Sequence, residues 1–288
     1  MAVMAAIAMR RNNEAAVFAD ALVSVLEQGF NGAYDASTGL INTNSDQYVG
    51  NASWALMALV HFAKHIDDRY ADIADSLADW IKRFYVSGAF KGGVRGNGSP
   101  IETIITEAQV DAIAALRGHS RHYGGNHGSI VADAESYLFE TLFYAEESRF
   151  YAGITNGVAD TTHYLDNILW AGLMTEFNLP AIAQCLPSVE ELAVSVQPDI
   201  NPILTVTGYS DMVGKQRIFT EGHAYMSLLC DKLGRPYSLE SMEKLTVEDQ
   251  GFVIHSNDPA WVGGSTLINS EATLWYVLAS TNFNPFDI

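Results

Sequence analysis

The sequence predicts an all-α fold, an α/α toroid of about five to six helical hairpins in which a ring of apolar helices is sheathed by amphipathic ones. The first observation is a coarse repeat: amphipathic helix, glycine- and aromatic-rich turn, apolar helix. The second is that one such pair cannot bury its apolar helix alone, so neighbouring pairs must stack. The third is that apolar residues make up 48% of the 288 residues, enough for a large core in a single domain over residues 1–288.

The predicted elements alternate along the chain. The outer helices mix polar and apolar residues at the helical period and are Asn12–Gln28, Arg69–Tyr85, Ser129–Tyr144, Ser188–Val196 and Ser238–Thr246. The inner helices are almost entirely apolar and are Asn51–Lys64, Ile104–Arg117, Thr162–Phe177, Thr220–Leu233 and Ser270–Ser280. Residues 1–9 lead into the first helix, and the loop 200–219 is expected to hold a short hairpin.

Acidic residues recur near the starts of the inner helices. Inner helices of a ring run parallel, so their N-terminal ends and the side chains of their first turns open on one end. Thr106 is the predicted N-cap of its helix, with Asp111 one turn inside. A hydroxyl residue followed by an acid is also typical of any ordinary helix start. A functional interpretation therefore depends on convergence of the acids at these starts, Glu107, Asp166, Glu221 and Glu271.

Charge and composition restrict the partners. Lys and Arg total 16 against 34 Asp and Glu, a formal charge of -18, which repels nucleic acid and anionic lipid. No apolar run reaches the roughly 18 residues that a membrane span needs. Arg10-Arg11 follows the apolar start instead of preceding it, unlike a secretory signal, so a cytoplasmic location is expected. Cys185 and Cys230 are far apart and are predicted to be buried thiols.

Neither a metal nor a cofactor is predicted. His119, His122 and His127 fall within nine residues but lack the i, i+4 spacing and a neighbouring cysteine or carboxylate of a zinc site, so a flexible loop is the interpretation. The glycine-rich loops match no phosphate-cradling spacing. The acidic stretch Asp67–Asp72 lacks the spacing of a terpenoid cyclase motif and is predicted to be a solvated helix face.

Four segments carry a resemblance to a known family. They are E-x-Q-V-D-A-I-A-A-L at 107–116, Y-L-D-N-I-L-W at 164–170, F-T-E-G-H-A-Y-M at 219–226, and S-E-A-T-L-W-Y-V-L-A with N-P-F within 270–286. In this order they resemble the inner helices of bacterial six-hairpin glycosidase-like proteins. The resemblance implies an α/α toroid and a carbohydrate-active protein with an oligo- or polysaccharide substrate. The chain departs from the pattern in showing about five helix pairs, and in having Tyr225 where glutamine is usual.

The activity that the resemblance implies is glycoside hydrolysis, which needs one protonated and one ionised carboxyl group. Glu107 is the predicted general acid, with Asp111 behind it holding its proton by like-charge repulsion, and Asp166 or Glu221 is the predicted base. Two sets of residues are predicted to bind substrate. Trp54, Tyr164 and Tyr225 would stack on sugar rings, and His163, His223 and Glu271 would line the same cavity.

Two alternatives remain open. A polysaccharide lyase would use His163, Asn167 and Tyr164 to abstract a proton α to a uronate, and these residue types fit. The charge does not fit, because the candidate helix starts carry no Arg or Lys to stabilise the uronate. The second alternative is a glycan-binding or scaffold protein without catalysis, which the geometry of the carboxyl groups would distinguish. The sequence does not indicate an oligomeric state.

Overall fold

The structure is a computed structural model and describes residues 1–33, 38, 40–197, 205–215, 217–247, 252–253 and 270–288. The chain divides into two compact units. The N-terminal unit comprises Ala2–Phe143, Tyr151–Thr161 and Pro285–Ile288, and the C-terminal unit comprises Met1, Tyr144–Phe150 and Thr162–Asn284. The assignment of residues 1–288 to one domain stays a prediction.

Six helices form the body of the N-terminal unit. They are α1 (Ala2–Ala8), α2 (Asn12–Leu26), α3 (Val49–His65), α4 (Ala71–Lys82), α5 (Thr106–Tyr123) and α6 (Gly128–Glu140). Helices α3 and α5 bury most of their residues and pack most extensively against each other, as predicted for inner helices. They run in the same direction, because Gly50 lies beside Asp111 near their starts, and the Tyr123 hydroxyl donates to the Leu59 carbonyl, 3.3 Å away, further along.

Short strands replace several of the turns that the sequence predicts. In the N-terminal unit they are β1 (Gln47–Tyr48), β2 (Tyr85–Val86), β3 (Ala89–Phe90), β4 (Gly93–Val94), β5 (Pro100–Ile101), β6 (Ile104–Ile105), β9 (Gly153–Thr155) and β10 (Val158–Asp160). They pair as β2-β3, β1-β4-β5 and β10-β9-β6. Gly93 permits the close pairing of β1 and β4: its φ is +133°, and a Cβ there would lie 2.0 Å from the Gln47 carbonyl oxygen.

Helix α5 differs from its prediction at both ends. Thr106 is not an N-cap, because Ile105 takes that position and the Thr106 hydroxyl donates to the Tyr151 carbonyl at 2.6 Å. The helix continues past Arg117 to Tyr123, so His119 and His122 are helical residues and not part of a flexible loop. It ends where Gly124 adopts a φ of 75°, the left-handed conformation typical of glycine after a helix.

The C-terminal unit contains five described helices: α7 (Leu165–Met174), α8 (Leu179–Glu190), α9 (Thr220–Lys232), α10 (Glu240–Glu243) and α11 (Ser270–Ser280). Helices α7, α9 and α11 run in the same direction. A Cβ on Gly222 would meet Leu165, and one on Gly172 would meet Leu229, so α7 and α9 are parallel. Tyr225 packs on Trp275, and Asn282 donates to Asp231 at 2.9 Å, so α9 and α11 are parallel.

The prediction of an outer helix over Ser188–Val196 is wrong. The helix α8 instead begins with Leu179-Pro180, since a proline is well tolerated in a first helical turn, and ends at Glu190. Residues Ala193–Val196 form strand β11, which pairs with β12 (Val206–Tyr209). Their alternating burial suits a strand with one face on a core of Val194, Val206, Ile218 and Leu245. The sequence interpretation expects both strands of a hairpin within 200–219, but only β12 lies in that range, and its partner β11 precedes it.

The remaining described strands are β7 (Phe143–Tyr144), β8 (Arg149–Phe150), β13 (Thr246–Val247) and β14 (Phe252–Val253). Cys185 and Cys230 are buried free thiols, as predicted. Within the described residues, no helix combines the length and the apolar character that crossing a membrane requires.

Candidate functional site

The first group of predicted site residues lies on α5 of the N-terminal unit. Glu107 is in the first turn and stays partly exposed, whereas Asp111, one turn deeper on the same face, is only 3% exposed. Burial raises the pKa of the Glu107 carboxyl. Burial, and then the charge of Glu107, raise the pKa of Asp111 well above its usual range. Two carboxyl groups that disfavour each other's ionisation in this way retain a proton more readily than isolated ones.

Trp54 on α3 contacts the same pair. Its indole donates a hydrogen bond to the Asp111 carboxyl, and this bond acts against the upward shift of the Asp111 pKa because it favours the charged form. Oδ1 of Asp111 has no hydrogen-bond partner among the described residues. A Cβ on Gly50 would lie 3.2 Å from Oδ2, so a glycine at this position allows α3 to approach the carboxyl closely.

The second group surrounds Tyr225 in the C-terminal unit. The Tyr225 hydroxyl donates to Oε2 of Glu221 at 2.9 Å, and both residues are buried, at 1% and 3% exposure. Burial, followed by the charges of Glu221, Asp166 and Glu271, raises the pKa of Tyr225 well above its usual range. Acids in the first turns of α7, α9 and α11 therefore all act on the same hydroxyl, whereas a cavity that they share with Glu107 stays a prediction.

The sequence interpretation expects the Tyr225 ring to stack on a sugar, but in the structure this ring is buried. Its ring is packed edge-to-face against Trp275 at 4.5 Å, Trp170 at 5.7 Å and Phe219 at 5.9 Å between centroids. Such packing leaves only the hydroxyl to act, and that hydroxyl is engaged with Glu221. In this structure Tyr225 is thus a core residue that holds a carboxylate.

Known proteins resemble the chain in fold. No protein-family model matches it, and no curated protein matches its sequence. A cellobiose 2-epimerase from Spirochaeta thermophila aligns over 99% of this chain and 84% of its own, with a TM-score of 0.67 and 13% identity. An alpha-amylase from Clostridium perfringens aligns over 93% of this chain and 84% of its own, with a TM-score of 0.60 and 14% identity.

A third structure is a family 76 glycoside hydrolase from a bovine Bacteroides thetaiotaomicron strain, with a TM-score of 0.58 and 11% identity over 83% of this chain. The fold is that of the α/α toroids. The expected resemblance to six-hairpin glycosidase-like proteins is therefore confirmed at the level of fold. The chain spans 56% of the length of that family 76 hydrolase.

The two predicted histidines of the C-terminal unit, His163 and His223, are both buried. Nδ1 of His223 lies 2.8 Å from the Tyr237 hydroxyl, its ring packs against Gly208, and burial lowers its pKa to about 4. His163 is buried, and its charged neighbours are Arg149, Glu191 and Glu147. Burial first, and then Arg149, lower the pKa of His163. Both histidines are held neutral by the structure around them.

The other predicted binding residues take varied positions. Tyr164 is the extended residue before α7, is partly exposed and forms a single bridge with Met212. Glu271 is exposed at the start of α11, and its charge raises the pKa of the Met1 amino group, which burial lowers to about 6 overall. Sequence reasoning misses Trp170 and Trp275, whose rings pack against Tyr225, although both lie on predicted inner helices, which must be buried.

Two of the three histidines between residues 119 and 127 form a hydrogen-bonded chain in the N-terminal unit. Nε2 of His119 lies 2.9 Å from Oδ1 of Asp75, and Nδ1 of His119 lies 3.0 Å from Nε2 of His127. Asp75 can only accept when ionised, so His119 donates to it and accepts from His127 when both rings are neutral. The sequence interpretation assigns His119 to a loop. In the structure it lies on α5 and faces Asp75 of α4.

Proposed function

We propose that the protein is a carbohydrate-active enzyme and, more specifically, a glycoside hydrolase. The observation that carries the proposal is the pair formed by the partly exposed Glu107 and the buried Asp111, whose raised pKa values keep a carboxyl group protonated closer to neutral pH. A protonated carboxyl is what a glycosidase uses to protonate the leaving-group oxygen. The fold supports the proposal, because it recurs in proteins described as family 76 glycoside hydrolases, one of them a mannosidase, and as an alpha-amylase.

In this mechanism Glu107 is the general acid, because it is the member of the pair that remains partly exposed and can meet a substrate. Asp111 is the predicted positioning residue behind it: two carboxyl groups on one helix face oppose each other's ionisation, and the charge of Glu107 raises the pKa of Asp111 in this way. The base needs an ionised carboxyl in a polar, hydrogen-bonded environment. Glu221 accepts a hydrogen bond from the Tyr225 hydroxyl, and its role as base, or that of Asp166, stays a prediction.

A sugar epimerase is a second candidate, because 99% of the chain aligns with a cellobiose 2-epimerase. Both candidates act on carbohydrate, but an epimerase inverts one stereocentre without breaking a glycosidic bond. β-Elimination gains less support, since the His163 and Asn167 that it would use are both buried.

The experiment is a screen of the purified protein on neutral oligo- and polysaccharides, with products separated by chromatography and identified by NMR. New reducing ends indicate hydrolysis, whereas a diastereomer of unchanged length indicates epimerisation. Glu107→Gln should abolish the acid function and lower kcat by about 10²–10⁴-fold on a substrate with a poor leaving group. Glu140→Gln, an exposed acid at the end of α6, is the matched control and should retain full activity.

The variants decide the assignment. Full activity of Glu107→Gln would remove Glu107 as the acid, and full activity of both Glu221→Gln and Asp166→Asn would remove the predicted bases. Absence of any sugar conversion by the wild-type protein across the screen would favour the glycan-binding alternative. Binding without conversion would be detected by calorimetry on the same panel of sugars.

A further inference from the structure

The segment Pro285–Ile288 lies on α3 and α5 of the N-terminal unit and is fixed there along its length. The Pro285 carbonyl accepts a hydrogen bond from Nε2 of His61 at 2.9 Å, and the Ile288 carbonyl accepts one from Arg121 at 2.6 Å. The Ile288 side chain fills the space over Gly118, where a Cβ would come within 2.8 Å of it. These contacts hold the residue between them, Phe286, in a defined place.

Phe286 packs against Trp54. The two ring centroids are 5.5 Å apart and the rings meet at 68°, the edge-to-face arrangement that aromatic pairs favour. Phe286 is 3% exposed, so its ring cannot leave Trp54 without opening the whole segment. An aromatic side chain held on one side in this way has few rotamers left.

Trp54 in turn bonds to Asp111, the buried member of the carboxyl pair. One carboxyl oxygen of Asp111, Oδ1, lacks a hydrogen-bond partner among the described residues, so the indole is a large part of the polar environment of this group. The contacts run from Phe286 to Trp54 to Asp111, and Glu107 lies one helical turn from Asp111. Residue 286 is thereby joined to a carboxyl pair that lies far from it in the sequence.

We propose that Phe286 is a positioning residue, which holds the Trp54 indole on Asp111 and so fixes the hydrogen bonding of the Glu107–Asp111 carboxyl pair. Its part in catalysis rests on the proposed hydrolase function, whereas its part in the protonation of the pair does not. A segment remote in sequence thus affects the protonation of two acids on α5.

The test is a titration of Phe286→Ala without substrate. Side-chain carboxyl carbons labelled with ¹³C are followed by NMR against pH, with Asp111 assigned through Asp111→Asn. Because the indole bond favours the charged form, its loss should move the titration of the pair to higher pH. The indole N–H resonance of Trp54, assigned through Trp54→Phe, should lose its pH dependence in step with that shift.

Ile288→Ala is the matched control, since it weakens the same segment without removing the ring that touches Trp54. It should lower the melting temperature but leave the titration in place. Phe286→Leu, which keeps apolar bulk and folds more readily, should give a smaller shift than alanine in the same direction. Phe286→Ala in a Trp54→Phe background should add nothing, because the contact it acts through is already gone.

An unchanged titration in Phe286→Ala and Phe286→Leu, or an equal shift in Ile288→Ala, would overturn the positioning role. If hydrolysis is found, the wild-type and alanine proteins should also differ in kcat more than in KM. A shifted titration in a protein that converts no sugar would reject the hydrolase and leave the positioning role standing. Loss of activity with an unchanged titration would reject the positioning role and leave the hydrolase standing.

Discussion

The Tyr225 hydroxyl donates to Glu221 four residues earlier on α9, so that one helical turn carries both a buried acid and its hydrogen-bond donor. This arrangement explains how Glu221 is accommodated at 3% exposure in an apolar helix.

Replacing Tyr225 by phenylalanine should therefore destabilise the protein. The ring and its packing on Trp275 remain, but the buried Glu221 loses a donor, which costs about 1–2 kcal/mol. Urea unfolding at neutral pH measures the loss. The double variant with Glu221→Gln should recover part of it, since a neutral amide is less costly to bury. Equal unfolding midpoints for wild type and Tyr225→Phe would contradict the hydrogen bond.

Asp111→Asn should stabilise the protein at neutral pH. Because the folded-state pKa of Asp111 is raised, its contribution to stability is full below the unfolded value of about 3.9 and is lost as pH rises through the folded value. Asparagine keeps an acceptor for Trp54 and removes the charge. Its melting temperature should exceed that of the wild type by about 2–4 °C per kcal/mol gained.

The gain should shrink as the pH falls toward 4, because both proteins then carry a neutral side chain at residue 111. Thermal scans at several pH values from acid to neutral provide the comparison. Glu140→Gln serves again as a surface control with an unchanged melting temperature. A destabilised Asp111→Asn at neutral pH would show that the carboxylate contributes favourably where it lies.

Two buried histidines should make the fold sensitive to acid. Burial lowers the pKa of His61 to about 3 and that of His223 to about 4, from an unfolded value of 6.5. Between pH 6.5 and these folded values, the two histidines are protonated in the unfolded chain but remain neutral in the folded chain. Stability from these groups is full above pH 6.5 and declines as the pH falls toward their folded values.

The slope of unfolding free energy against pH measures this uptake. His61→Asn should reduce the slope between pH 6.5 and 4 by up to one proton, while His122→Asn, at an exposed position of α5, should reduce it far less. Comparing variants cancels the opposite trend from Asp111. Equal slopes for the two variants would mean that His61 is not held neutral by burial.

The histidine chain should depend on Gly125. A Cβ there would lie 2.5 Å from Nδ1 of His119 and from Nε2 of His127, so Gly125→Ala must separate the rings. We expect a loss of about 1–3 kcal/mol by overpacking and a weaker contact with Asp75. Gly128→Ala is the control, because nothing lies within 4 Å of its new Cβ. Equal stability of the two variants would place the rings further apart than the structure does.

Features that depend on helical period are predictable from the sequence. The pattern predicts α11 with the bounds that it has, Ser270–Ser280, and places Asp166, Glu221 and Glu271 in first turns of inner helices, from which their charges all raise the pKa of Tyr225. Periodicity suffices in these cases because an apolar helix must be buried whatever its partner. The end of α5 is not predictable in this way. The sequence prediction ends the helix at Arg117, before Gly118, but the helix continues through this glycine, on which the Ile288 side chain packs.

Features that depend on a distant partner are not predictable from local pattern. Phe18 of α2 is a large apolar side chain, yet it is 43% exposed, and the smaller Ala15, Ala19 and Val23 form the buried face. The hydroxyl of Thr106 bonds to the carbonyl of Tyr151 instead of capping its helix. The contact of Phe286 with Trp54 follows from the path of the chain between them, which local pattern does not encode.

The close pairing of β1 with β4 restricts residue 93 to glycine. At position 93 even a methyl group would collide with the Gln47 carbonyl oxygen, and the backbone conformation there independently suits glycine. Proteins of this fold that keep the same pairing of two strands should keep a glycine at that point, even where sequence identity is only 11–14%. This position thus offers a landmark for aligning diverged members of the fold.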